Sequence, residues 1–253
     1  QEVFNRMRRL HLIPIVRIAT KPRGAVWEKP KNEEINNWLA FLNSLNWVVK
    51  NRYVIIGNEP NHAKEWGGEI NPEEYATYLK EFSLKLKAAS PDFFVLPAGL
   101  DASAPSAKNK ETLDEVSYLK RMLAKEPDIF EHIDGWTSHS YPNPGFAGSD
   151  NGYGRTSVRA FDWELALLKT LGAKKDYKVF ITETGWAGSG EEGFGTKFKN
   201  AYEGAWSDKR VIAVTPFILA YQEPPFDVFS WKNKEGKFYD FYYQVQNLSK
   251  PKG

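Results

Sequence analysis

The sequence contains no cysteine. Disulfides, thiolate nucleophiles and cysteine-ligated metals are therefore excluded, while the redox compartment stays open. Histidine is scarce as well, with 4 residues, and neither an HxH nor an HExxH run occurs. A metal-dependent hydrolase would have to gather His62, His139, Glu59 and Glu183 without the compact spacings that zinc sites use, so neither a metal nor a cofactor is expected. No run of about 18 apolar residues and no signal-peptide pattern is present, which argues against a membrane partner. The 34 Lys and Arg nearly cancel the 32 Asp and Glu to leave +2, with the signs interspersed. That pattern gives no nucleic-acid-binding surface. No glycine-rich loop follows the first predicted strand, so a dinucleotide-binding fold has little support.

What is present suits a globular protein: 42% apolar and 26% charged residues in a chain of 253, long enough for one large α/β domain. Aromatic residues reach 15%, including 9 Trp, more than a core requires. Sugar platforms are one use for such a surplus.

The stretch YVIIGNEPN, residues 53–61, organises the rest. Tyr53 to Ile56 form an unbroken apolar run closed by Gly57, which reads as a strand buried on both faces. Glu59 follows at the mouth of that strand. A carboxylate there is poorly solvated unless it is paired, its pKa is expected to rise, and a carboxyl group near neutrality can give and take protons. The competing expectation is a structural ion pair or a cap.

The chain alternates strands and helices. Predicted strands cover 13–19, 53–57, 93–99, 133–142, 178–186 and 211–219. Helices are expected over 32–50, from Pro72 through a buried stripe of Tyr75, Leu79, Phe82 and Leu86, over 111–125, over 157–171 and around 197–207. Asn71, Pro72 and Glu74 make a strong helix start, as N-cap, N1 and N3. Loop-length stretches at 101–110, 143–156 and 187–196 follow strands, the arrangement of the active face of a (β/α)8 TIM barrel. Six strands are visible and a barrel closes with eight. The expectation is a single barrel domain over 1–253 holding strands three to eight. Two N-terminal βα units would then be missing or supplied as a separate fragment, which also accounts for a first segment that reads as a helix already under way. An open six-stranded doubly wound sheet is the alternative.

Glu183 in FITETGW repeats the placement of Glu59 in IIGNEPN: an acid at the end of an apolar strand. Ends of different barrel strands converge on one site, and two converging carboxyl groups suggest glycoside hydrolysis. NEP at 58–60 together with ITETGW at 181–186 resembles the clan of retaining (β/α)8 glycoside hydrolases with an acid/base Glu at strand four and a nucleophile Glu at strand seven. The resemblance implies Glu59 as general acid/base and Glu183 as nucleophile. It further implies Asn58 as the residue that hydrogen-bonds the sugar 2-OH and Tyr141 as the donor that keeps the nucleophile ionised, with His139 lining the same site. Arg17, near the end of the first predicted strand, is either a charge partner of the nucleophile or part of a structural salt bridge; many clan members carry that Arg on an earlier strand. Trp186, Trp66 and Trp231 are the candidate sugar platforms.

The implied activity is hydrolysis of β-glycosidic bonds in an oligo- or polysaccharide by double displacement, with the carboxyl groups about 5–5.5 Å apart. A secreted or extracytoplasmic location is favoured for such a glycanase. The alternative is a barrel that binds carbohydrate without cleaving it.

Overall fold

A computed structural model describes residues 1–188 and 190–249. Ser189, in the predicted 187–196 loop, lies outside the described residues. Two compact units make up the chain: Gln1–Thr137 with Leu168–Lys178, and Ser138–Leu167 with the chain from Val179 onward.

In chain order the elements are α1 (Glu2–Arg9), β1 (Ile15–Ile18), β2 (Pro22–Arg23), β3 (Val26–Trp27), α2 (Ile35–Ser44), β4 (Arg52–Ile56), α3 (Pro72–Ala89), β5 (Phe93–Pro97), α4 (Glu115–Lys125), β6 (Trp136–His139), α5 (Ala160–Thr170), β7 (Val179–Glu183), α6 (Phe194–Glu203), β8 (Val211–Val214) and α7 (Asp240–Gln246). All six predicted strands form. Among the described residues they pair as two three-stranded sheets, β1-β4-β5 and β6-β7-β8, and do not close a barrel. No described helix is long and apolar enough to cross a membrane.

In the first unit β1, β4 and β5 are parallel, with Val16 opposite Val54 and Val54 opposite Val95. The apolar run of β4 is buried as its pattern demands, with Val54, Ile55 and Ile56 at most 5% exposed. Helix α3 begins where the sequence predicts: Asn71 accepts a hydrogen bond from Glu74 N, and Pro72 opens the first turn. Its buried stripe, Tyr75, Leu79, Phe82 and Leu86, supplies core volume, each such side chain contributing roughly 1.5–3 kcal/mol.

Several boundaries differ from the sequence expectation. Helix α2 ends at Ser44 because Leu45 is extended. Helix α4 starts at Glu115, where Asp114 caps Ser117 N. Helix α6 stops at Gly204, and Trp206 beyond it is anchored by its Nε1 on Val158 O at 3.1 Å. The antiparallel pair β2 and β3 lies in a stretch read as loop. Two-residue strands are too short to show alternation.

In the second unit β7 and β8 pair in parallel through Val179–Val211 and Ile181–Val214, with a register shift after Val179. The core is aromatic. Phe198 meets Trp186 at 5.0 Å, Trp231 at 4.9 Å and Phe194 at 5.5 Å, edge to face, and stacks on Phe241. Edge-to-face pairs of this kind add about 0.5–1.5 kcal/mol beyond burial.

Candidate functional site

In the first unit the chain leaves β4 and turns sharply. Gly57 has φ +91°, and its amide bonds Ile18 O. Glu59 has φ +32°, a left-handed conformation that non-glycine residues rarely hold and that costs roughly 1–3 kcal/mol. Two backbone bonds hold it there, Glu59 N to Gly99 O at 3.0 Å and His62 N to Glu59 O at 2.8 Å. Beneath the turn, the buried Tyr75 hydroxyl donates to Ile56 O at 3.0 Å and accepts from Ala98 N at 2.6 Å. It thereby ties the ends of β4 and β5 together. Burial raises the Tyr75 pKa, so the phenol stays neutral.

Asn58 is held from both sides. Arg17 Nη1 on β1 donates to its Oδ1 at 2.6 Å, and its Nδ2 donates to Glu65 Oε2 at 3.2 Å. Burial raises the Glu65 pKa and the Glu59 charge adds to the rise, while the Asn58 bond opposes it. Asn61, fully buried, donates to Asp101 O and Leu113 O and accepts from Asp101 N, which fixes the following loop. His62 Nε2 lies 2.9 Å from Asp101 Oδ2, and Ser103 Oγ donates to Asp101 Oδ1 at 2.7 Å. Burial would raise the Asp101 pKa, but the His62 and Ser103 bonds outweigh it and bring it to about 2. Burial likewise depresses His62, and the Asp101 bond with the charges of Glu59 and Asp101 reverses this to a net rise.

In the second unit Glu183 ends β7. Tyr141 Oη donates to Glu183 Oε2 at 3.1 Å, and His139 Nδ1 lies 3.9 Å from the same oxygen. His139 is 4% exposed. The next residue is locked: Thr184 Oγ1 donates to Ser140 O at 2.7 Å, and Phe217 N donates to Thr184 O at 2.8 Å. Tyr141 is walled by Phe146 and Phe229, at 5.1 and 6.1 Å between ring centres.

The structure thus brings Arg17 and Asn58 together in the first unit, and His139, Tyr141 and Glu183 together in the second. It corrects the expected platforms. Trp66 is 2% exposed, packed against Tyr75 and Tyr78, with its Nε1 on Glu74. Trp186 is 1% exposed, with its Nε1 on Gly148 O. Trp231 is 7% exposed against Phe198 and Phe241. An indole with no open face cannot stack on a sugar; these three are packing residues. Sequence reasoning missed Glu65, Asp101, Phe146 and Phe229, and left His62 without a role outside a metal site.

No family model matches the sequence, and no curated protein matches it. Solved structures do match. A monomeric beta-xylosidase from Caulobacter crescentus superposes with a TM-score of 0.64 at 13% identity, over 98% of this chain and 56% of its own. A family 39 glycoside hydrolase from the gut symbiont Bacteroides cellulosilyticus gives 0.64 at 13%, over 94% and 50%. A family 128 (subgroup II) endo-beta-1,3-glucanase from Sorangium cellulosum gives 0.60 at 13%, over 95% and 82%. These neighbours are glycoside hydrolases. The chain shares their α/β fold and spans 56% of the length of the xylosidase. Glu183 closes a parallel strand, and Glu59 follows one by three residues.

Proposed function

We propose that the chain is a retaining β-glycoside hydrolase acting on an oligo- or polysaccharide. The observation that carries this is the Tyr141 hydroxyl on Glu183 Oε2, at the end of β7, in a chain with a glycosidase fold. A nucleophilic carboxylate must be aimed, and a phenol donor on one of its oxygens fixes its orientation.

Glu183 would attack the anomeric carbon while Glu59 protonates the departing glycosidic oxygen. The covalent glycosyl-enzyme would then be hydrolysed by water that Glu59 deprotonates. Asn58 would donate to the sugar 2-OH, a bond that strengthens as the oxocarbenium-like transition state forms. The His139 ring would fix the Tyr141–Glu183 pair from beside the same oxygen.

The test is product stereochemistry and azide rescue. On a panel of β-linked polysaccharides and activated aryl β-glycosides, the first-formed sugar should be the β-anomer by NMR. With Glu59→Ala, azide should restore turnover of an activated glycoside and yield the β-glycosyl azide. With Glu183→Ala it should yield no β-azide. Binding of glycans without turnover by the unaltered chain would instead favour the non-catalytic alternative.

A further inference from the structure

Asn58 has two chemically opposite neighbours. A guanidinium only donates hydrogen bonds, so the atom 2.6 Å from Arg17 Nη1 must be the amide oxygen. An ionised carboxylate only accepts, so the atom 3.2 Å from Glu65 Oε2 must be the amide nitrogen. Turning the amide over would set N–H against guanidinium and C=O against carboxylate, replacing two charge-assisted bonds with two repulsive contacts. The amide therefore has one orientation before any ligand arrives. One N–H is spent on Glu65, and the second has a fixed direction.

Glu65 is well held for this task. It closes a 3-10 turn, Ala63–Glu65, with its own amide on His62 O at 3.0 Å. That turn is pinned by Ala63 N on Glu111 O at 2.8 Å. The charge of Arg17 also acts on Glu65 across Asn58 and favours its ionised form.

We propose that Glu65, with Arg17, is a positioning residue that fixes the Asn58 amide so that its remaining N–H meets a sugar hydroxyl. The catalytic consequence rests on the glycosidase function proposed above; the amide clamp does not. Glu65 touches no substrate in this scheme and acts only through Asn58.

Two measurements separate the clamp from the activity. The first needs no turnover: the side-chain amide signals of Asn58 in a ¹⁵N-labelled chain, assigned by their loss in Asn58→Asp. Glu65→Ala and Arg17→Met should each shift them, and Glu65→Gln, whose carbonyl can still accept, should shift them least. Arg17 is exposed, so its variant folds even if Glu65→Ala does not. Unmoved Asn58 signals in Arg17→Met and Glu65→Ala would overturn the clamp. The second uses 2,4-dinitrophenyl β-D-glucoside and its 2-deoxy analogue. Glu65→Ala and Arg17→Met should lower kcat/KM about tenfold on the first and less than about twofold on the second, because the analogue lacks the hydroxyl that Asn58 serves. Equal losses on both would overturn the positioning role. No turnover by the unaltered chain on any β-glycoside would overturn the catalytic reading alone and leave the clamp to be decided by the amide signals.

Discussion

Tyr141 and Glu183 meet through a hydrogen bond of 3.1 Å between the phenol and Oε2, with the phenol ring packed against the touching rings of Phe146 and Phe229. The ring is held by packing, and its hydroxyl donates to the carboxylate. Tyr141→Phe keeps the packing and removes only the donor. A bond to a charged group contributes about 1.5–3 kcal/mol, so kcat/KM should fall roughly 10- to 100-fold. Thermal unfolding should move little. A variant as active as the parent would remove Tyr141 from the mechanism.

The His62–Asp101 pair makes stability depend on pH. The Asp101 carboxyl, at about 2 against an ordinary 3.8, contributes stability above pH 3.8 that is lost as pH falls toward 2. His62, raised above 6.5, contributes stability that is complete below pH 6.5 and lost as pH rises through its folded value. Both shifts express one interaction, counted once at roughly 2 kcal/mol. Asp101→Asn should lower the urea midpoint most at pH 5–6 and flatten the acid limb. The His62 ring signals should titrate at lower pH in that variant.

Tyr75 joins two strand ends through one oxygen. Tyr75→Phe leaves Ile56 O and Ala98 N without that partner in a dry interior, at a cost of about 2–4 kcal/mol. Denaturant melts should report the loss. Activity should fall as well, since Gly57 and Glu59 hang from the same strand end.

With the tryptophans buried, the open aromatic faces of the second unit are elsewhere. Tyr221 and Phe226 are 40% and 41% exposed and 6.0 Å apart, and Phe226 meets Phe217, which meets Phe229 beside Tyr141. Phe226→Ala and Tyr221→Ala should raise KM for oligosaccharides about 5- to 30-fold and leave small aryl glycosides nearly unaffected. Unchanged KM across chain lengths would exclude this platform.

The strands were legible because β4 and β7 carry continuous apolar runs that only a parallel sheet buries. Helix α3 was legible from Asn71 and Pro72, whose roles are local. The tryptophans were misread because exposure of an indole is decided by what packs over it: Trp66 stands in a loop, yet Tyr75 and Tyr78 from α3 cover it. Glu65 carried no signal. It is one loop glutamate among 32 acidic residues, and its meaning comes from Asn58 seven positions away folding back to meet it.

Glu59 sits in a backbone conformation that glycine would occupy without strain. Selection for heat resistance alone would therefore favour glycine at this position, because Glu59→Gly relieves the local backbone strain. A library of survivors from a thermal screen, sequenced at position 59 and compared with survivors of an activity screen, would show two opposite preferences at one codon. That divergence would measure how much folding stability the chain gives up to hold an acid in place.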